Sequence, residues 1–174
     1  LASAQDTGVV DAVEFPGIRR TYEFPSAKAT APAGQILGSS VSGSFEVWFN
    51  PDDLSGNHIL FEVGGQGSGS TLILQDDNLH WISQSSNNNN RMKATVTLSP
   101  GAAGTWNQVL AVNHMQGGGR GEVFLLLNGG EEEATATIDA HYTNWAGGNG
   151  SGLGTFSGNY AGNNDVATST IQDF

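Results

Sequence analysis

Carboxylates are the first residues in this sequence to consider for chemistry. Cleaving a glycosidic bond takes two of them flanking the bond, one as acid and one as nucleophile or base. Glu14, Glu23, Glu46, Glu62 and Glu122 each stand alone within an apolar run, so two could meet only across strands. Glu46 and Glu62 are the pair that such a meeting would favour. Glu131, Glu132 and Glu133 follow Asn128-Gly129-Gly130 and read as a solvated turn corner. The histidines, His58, His80, His114 and His141, show no close metal-ligating spacing, and no Gly-x-Ser-x-Gly elbow is present. With no cysteine there is neither thiolate chemistry nor a disulfide. The residues lean away from an enzyme.

Recognition needs other residues. A sugar presents an apolar face that stacks on aromatic rings and hydroxyls that pair with amides and carboxylates. His141-Tyr142-Thr143-Asn144-Trp145 gathers such groups at the start of a long Gly/Asn stretch, 147–164. Trp81 stands beside His80 and shortly before Asn87-Asn88-Asn89-Asn90-Arg91.

The charge narrows the partners. Seventeen acidic against six basic residues give a net charge of −11. Such a surface repels phosphate backbones and anionic lipid heads, so nucleic acid and membrane insertion are not expected. No segment reaches the roughly 20 apolar residues of a membrane-spanning helix. A neutral glycan, a cation or a protein surface remains compatible.

The elements that would position these residues are strands. Short apolar runs recur between Gly, Asn, Asp and Pro clusters, and none sustains a helical period. The pattern predicts strands near 21–25, 44–50, 58–63, 70–75, 78–84, 93–98, 106–115, 121–128, 134–140 and 168–174. Asp76-Asp77 and the tract Gly117-Gly118-Gly119 read as hairpin turns. Glycine is abundant, at 25 residues without a fixed period, which suits many tight turns. The reading is one all-β domain over 1–174, a two-sheet antiparallel sandwich in which 1–20 is a lead-in.

The sequence resembles the laminin-G-like, concanavalin A-like domains of bacterial exported proteins. Gly43-Ser44-Phe45-Glu46-Val47-Trp48-Phe49-Asn50-Pro51 is similar to that family's "G-S-F-S-V-x-W-F-x-P" strand. Thr105-Trp106-Asn107-Gln108-Val109-Leu110-Ala111-Val112 resembles "W-H-H-V-A-V", and Val123-Phe124-Leu125-Leu126-Leu127-Asn128-Gly129 resembles "V-x-L-Y-V-N-G". The closing segment departs from the pattern, with Gln172 where an acid is usual and an end at Phe174, as if the last strand were cut short.

The resemblance implies a jelly-roll sandwich and an extracellular or cell-surface setting. The small-residue start, Leu1-Ala2-Ser3-Ala4, is consistent with export. It places Trp48 and Trp106 in the core, leaving Trp81 and Trp145 for a surface site with Arg91, Tyr142 and Asn144. The expected function is a non-catalytic module binding a neutral glycan or a protein. The alternatives are a hydrolase or lyase of the same fold and a structural spacer. The Glu-x-Asp-x-x-Glu strand of related glucanases is missing. No cofactor is required, and a structural calcium held by Asp173 and Glu14 is what the fold would suggest.

Overall fold

Phe45, Val47 and Phe49 alternate with Glu46 and Trp48, and a strand sends alternate side chains to opposite faces. One face of that strand is therefore apolar throughout. The computed structural model describes residues 22–24, 42–85, 90–130, 132–138, 142–145, 151–154, 156 and 160–162. Within them are β1 (Tyr22–Phe24), β2 (Gly43–Phe49), β3 (Asn57–Gly64), β4 (Gly69–Gln75), β5 (Asn78–Ser85), β6 (Asn90–Thr97), β7 (Asn107–Gly117), β8 (Arg120–Leu127), β9 (Glu132–Ile138) and β10 (Ser151–Leu153).

The strands form two antiparallel sheets. One has six strands in the order β1-β10-β3-β4-β5-β6, the other four in the order β2-β7-β8-β9. The predicted strands through residue 138 agree with these elements to within a few residues. The strand expected over 168–174 lies outside the described residues. β10 is the correction: Ser151-Gly152-Leu153 falls in a stretch read as loop, yet it bridges β1 and β3 in the six-stranded sheet. Three residues, one of them glycine, are too few for an apolar period to register.

The turns follow their chemistry. Asp76 takes φ 50 between β4 and β5, where Gln75 faces Asn78. Its carboxylate accepts from the Gly56 amide at 3.0 Å, tying the turn to the approach of β3. Asn128 takes φ 49 after β8, and its side-chain oxygen accepts from the Gln108 amide at 2.9 Å. Both left-handed positions are filled by the residue types that tolerate them best after glycine.

The core lies between the sheets. Leu72, Leu74, Leu79, Trp81, Met92 and Ala94 from the six-stranded sheet meet Phe49, Val109, Ala111, Val123 and Leu125 from the four-stranded one. A bulge in β3 sets the faces of its two halves. Ile59 pairs with Ile73 and Phe61 with Leu72, which leaves Leu60 as the extra residue. Leu60 and Phe61 thus both join the inner core, whereas Ile59 turns outward. On that outer side Ile59, Ile73 and Ile82 are buried under Tyr160 and Ala161, with Phe156 packed alongside. The middle of the six-stranded sheet is consequently covered on both faces, and nearly every residue of β4 and β5 is buried, while Lys93, Thr95 and Thr97 of β6 stay exposed on the outer side.

The segment 142–145 closes one end of the sandwich. Gly121 is buried against the Tyr142 ring so closely that an added Cβ would lie inside contact distance of its Cδ1 and Cε1. At Gly43 the Cβ would stand 2.8 Å from Cζ2 of Trp145. Gly121→Ala should therefore lower stability by about 2 kcal/mol in chemical denaturation, the scale of core overpacking. Gly101→Ala, whose Cβ would meet only Ser99 Oγ at 4.0 Å, should stay within about 0.5 kcal/mol of the parent.

Candidate functional site

The four tryptophans divide in the reverse of the expected way. Trp81 and Trp145 are 0% exposed, whereas Trp48 and Trp106 are each 50% exposed. Trp48 sits between inward Val47 and Phe49, so strand alternation alone turns it outward. Trp106 precedes the first residue of β7 and stays outside the sandwich.

The residues predicted as a surface site are brought together only in part, and inside the protein. Phe45 packs against both buried indoles, with centroids 5.7 Å from Trp81 and 5.3 Å from Trp145. Tyr142, 1% exposed, enters the same core. Its hydroxyl belongs to a chain of buried polar groups whose protons can be assigned. Ser70 has one hydroxyl proton and donates it to the Trp145 carbonyl at 2.8 Å. Ser83, 2.8 Å away, then donates to Ser70, and Tyr142, whose alternative acceptor Asn113 Oδ1 lies farther off at 3.4 Å, donates to Ser83. Asn113 adds a donor to Ser70 at 3.2 Å. Burial pushes the Tyr142 phenol up, partly offset by its bond with Ser83, and so holds it in the protonated form that the chain needs.

Asn144 is exposed, and its amide and that of Thr143 share the Ser85 hydroxyl at 3.3 Å. Arg91 is half-buried and stands opposite Gln84, whose side chain accepts from the Gly162 amide on the outer side of the six-stranded sheet. A sheet thus separates Arg91 from Tyr142 and Trp145. The exposed stacking surface expected of Trp81, Tyr142 and Trp145 is corrected by their burial: the segment is a plug, packed because the end of the sandwich must be filled.

The two carboxylates favoured as a pair also part company. Glu46 is exposed on the outer face of the four-stranded sheet. Glu62 is 0% exposed and stands opposite Thr71, which faces Ile82 on the outer side of the six-stranded sheet. Both sheets, about 10 Å apart, lie between the two groups, so they cannot flank one bond. Glu14 and Asp173, the metal candidates, lie outside the described residues. Among the described residues no group of three or more His, Asp or Glu side chains is placed to hold a metal ion.

A different arrangement is present on the outer face of the four-stranded sheet. Register sets Trp48 opposite Gln108, Glu46 opposite Leu110, and Ser44 opposite Val112. Across β8 and β9 the rows continue through Leu126 to Glu133 and through Phe124 to Thr135. Leu110, Val112, Phe124 and Leu126 keep partial exposure along the middle. At one end Glu46 fixes the indole: Oε1 accepts from Trp48 Nε1 and from Gln108 Nε2, both at 2.9 Å. At the other end Glu122 Oε2 meets His114 Nδ1 at 3.4 Å and accepts from Gln116 at 3.2 Å. The pairing that sequence reasoning missed was legible as alternation within 45–49.

The hydrogen bond from Gln108, and then that from Trp48, draws the Glu46 carboxyl below its ordinary value of 4.5. A depressed carboxyl keeps its bonds above that value and loses them as pH falls through the lowered one. The Trp48 indole N–H resonance should therefore titrate with a midpoint below 4.5. In Glu46→Gln that transition should disappear.

Comparison with known proteins places this geometry. A profile of the concanavalin A-like lectin/glucanases superfamily, laminin G type, matches residues 25–174. No curated protein sequence matches the chain. Among solved structures, the CBM40 of Ruminococcus gnavus IT-sialidase, bound to α2,3 sialyllactose, is similar at TM-score 0.54 and 14% identity, covering 83% of this chain and 80% of that one. Domains LG4-5 of the mouse laminin alpha1 chain are similar at TM-score 0.50 and 14% identity over 68% of this chain, which spans 30% of theirs. The binding domain of botulinum neurotoxin DC, in complex with SialylT, is similar at TM-score 0.51 and 14% identity, over 84% of this chain and 37% of that one. With two antiparallel sheets enclosing one core and the family pattern running through nearly all of the sequence, the chain belongs to the concanavalin A-like lectin/glucanase superfamily, as a laminin G-like domain.

Proposed function

We propose that the domain is a non-catalytic recognition module that binds a neutral glycan on the outer face of the four-stranded sheet, at Trp48. The observation that carries this reading is the Trp48–Glu46–Gln108 arrangement. An indole exposed to half its area costs hydration free energy with no return to the core. Its N–H is nonetheless anchored to a carboxylate that a neighbouring amide holds in turn. Such a ring is set in advance for stacking on the apolar face of a sugar, and little ordering is left to be lost on binding. Glu46 and Gln108 keep further lone pairs and protons for hydroxyls.

The surrounding charge supports a neutral ligand. Glu46, Glu122 and Glu133 occupy this face. Arg91 and Lys93 belong to β6 of the other sheet, and Arg120 stands eight residues along β8 from Asn128, about 27 Å away. Among the described residues, an anionic sugar would meet carboxylates beside Trp48 without a neighbouring cation. The fold relatives solved with sialylated ligands support glycan recognition as a class.

The same face disfavours hydrolysis. Glu46 and Glu133 share a row but are three strand spacings apart, about 14 Å between backbones. Glu46 Oε1 is moreover engaged by Trp48 Nε1 and Gln108 Nε2, which fits a positioning role better than that of one half of a glycosidase pair.

A glycan array followed by isothermal titration calorimetry tests the proposal. The domain should bind at least one neutral oligosaccharide more tightly than sialyllactose. Trp48→Ala should weaken that binding about tenfold, with most of it kept in Trp48→Phe. Absence of neutral glycan binding, or an unchanged affinity in Trp48→Ala, overturns the reading.

A further inference from the structure

Trp48 and Trp106 are the exposed large hydrophobic side chains among the described residues, and both stand at the same end of one strand pair. Trp48 faces Gln108, and Trp106 lies two residues before Gln108 on the approach to β7. One strand spacing and two residues of rise put their backbones about 8 Å apart. Beside Trp106 is a depression of about 180 Å³, lined among others by Ser99, Thr105, Trp106, Asn107, Leu127 and Asn128. Building on the recognition function proposed for Trp48, we infer that this depression is a second, adjoining sugar subsite. The ligand is then an uncharged chain of linked pyranose units rather than a single terminal sugar.

The depression is braced rather than incidental. Asn107 is 3% exposed, and its Nδ2 donates to the Ala102 carbonyl at 3.0 Å and the Thr105 carbonyl at 2.9 Å. The Thr105 hydroxyl donates to the Gly101 carbonyl at 3.0 Å or that of Ala102 at 3.1 Å. The Gly104 amide donates to the Pro51 carbonyl at 2.7 Å, fixing the loop to the end of β2. On the other wall Asn128 is held through Gln108, and its Nδ2 reaches Asn107 Oδ1 at 3.4 Å. The loop that carries Trp106 is thus pinned on both sides while half of the indole stays in water. A purely structural loop gains nothing from that exposure, because the apolar area is worth more buried.

Size and chemistry indicate the occupant. The volume is below the roughly 300 Å³ at which sites for drug-sized ligands begin, and it suits one pyranose ring. The lining carries one indole, amides and hydroxyls, and no charged side chain. With Asn107 and Thr105 engaged in the bracing, the indole, the Ser99 hydroxyl and the exposed Asn128 amide match the apolar face and hydroxyls of a neutral sugar. Gln108 and Asn128, bonded to one another through main chain and side chain, connect the two indoles as a continuous polar floor. Linking two weak subsites through one ligand makes the second contact intramolecular, so affinity grows with chain length.

The test is a titration of the ¹⁵N-labelled chain with cello-, xylo- and manno-oligosaccharides of two to six units. The indole N–H signals of Trp48 and Trp106 should both shift, while those of buried Trp81 and Trp145 hold. In at least one series, affinity should rise at least about tenfold from the shortest to the longest member, with the gain lost in Trp106→Ala and restored in Trp106→Phe. If Trp48 responds but Trp106 does not, and Trp106→Ala matches the parent at every length, the second subsite is overturned and recognition at Trp48 stands. If no member of any series moves either signal, the second subsite falls for these chains, and the glycan array decides separately whether recognition at Trp48 survives.

Discussion

The ring of Phe45 meets three other aromatic rings, each from a different part of the chain. Phe61 of β3 lies 4.8 Å away, Trp81 of β5 5.7 Å and Trp145 of the closing segment 5.3 Å, centroid to centroid. This contact joins the two sheets and fastens the plug at 142–145 to both. Aromatic side chains of this size dominate core energetics, and truncating one typically costs about 3–5 kcal/mol. The cluster also fixes what the outside of β2 must be. With Phe45, Val47 and Phe49 committed to the core, the two-residue alternation gives Glu46 and Trp48 no other direction than outward. The surface indole is a consequence of the buried one.

The covering of the sheets decides where a ligand could act. The middle of the outer side of the six-stranded sheet is occupied by Tyr160 and Ala161 over Ile59, Ile73 and Ile82, and even the carboxylate of Glu62 is buried there. The outer side of the four-stranded sheet keeps Trp48, Glu46 and His114 exposed and its central aliphatic residues partly so. Glu46 and Glu62 are the same residue type on strands of similar pattern, yet one organises a surface and the other is enclosed. Neighbours, rather than residue identity, separate their roles.

Most of the framework was legible in the sequence because it rests on local periodicity and turn chemistry. The strands from β2 to β9 followed short apolar runs set between turn residues, and Asp76 and Asn128 marked turns through their tolerance of left-handed backbone. The failures have one physical origin. In β5, Leu79 through Ser85 are buried on both faces, so alternation gives no inward direction for Trp81 to obey. Trp145 is buried by contacts with Phe45 and Gly43, a hundred or more residues away in sequence, and no local pattern carries that information. For Trp48 the local signal was present and correct, since its neighbours on either side are the core residues. Family pattern outweighed it.

Sign and placement of charge bear on how the fold's binding capacity is specialised. Relatives of this fold have been solved with sialylated ligands, at identities too low for their sites to transfer residue by residue. The net charge here is −11, and the face bearing Trp48 has Glu46 at the very point where a sugar would stack. With Glu46 held ionised by Gln108 and the indole, an incoming carboxylate would be repelled at short range. Hydroxyls would instead find a strong acceptor. On the function proposed, one carboxylate would do two things: orient the stacking surface and exclude anionic sugars from it. Specificity of that kind would lie in the group that repels as much as in the ring that attracts.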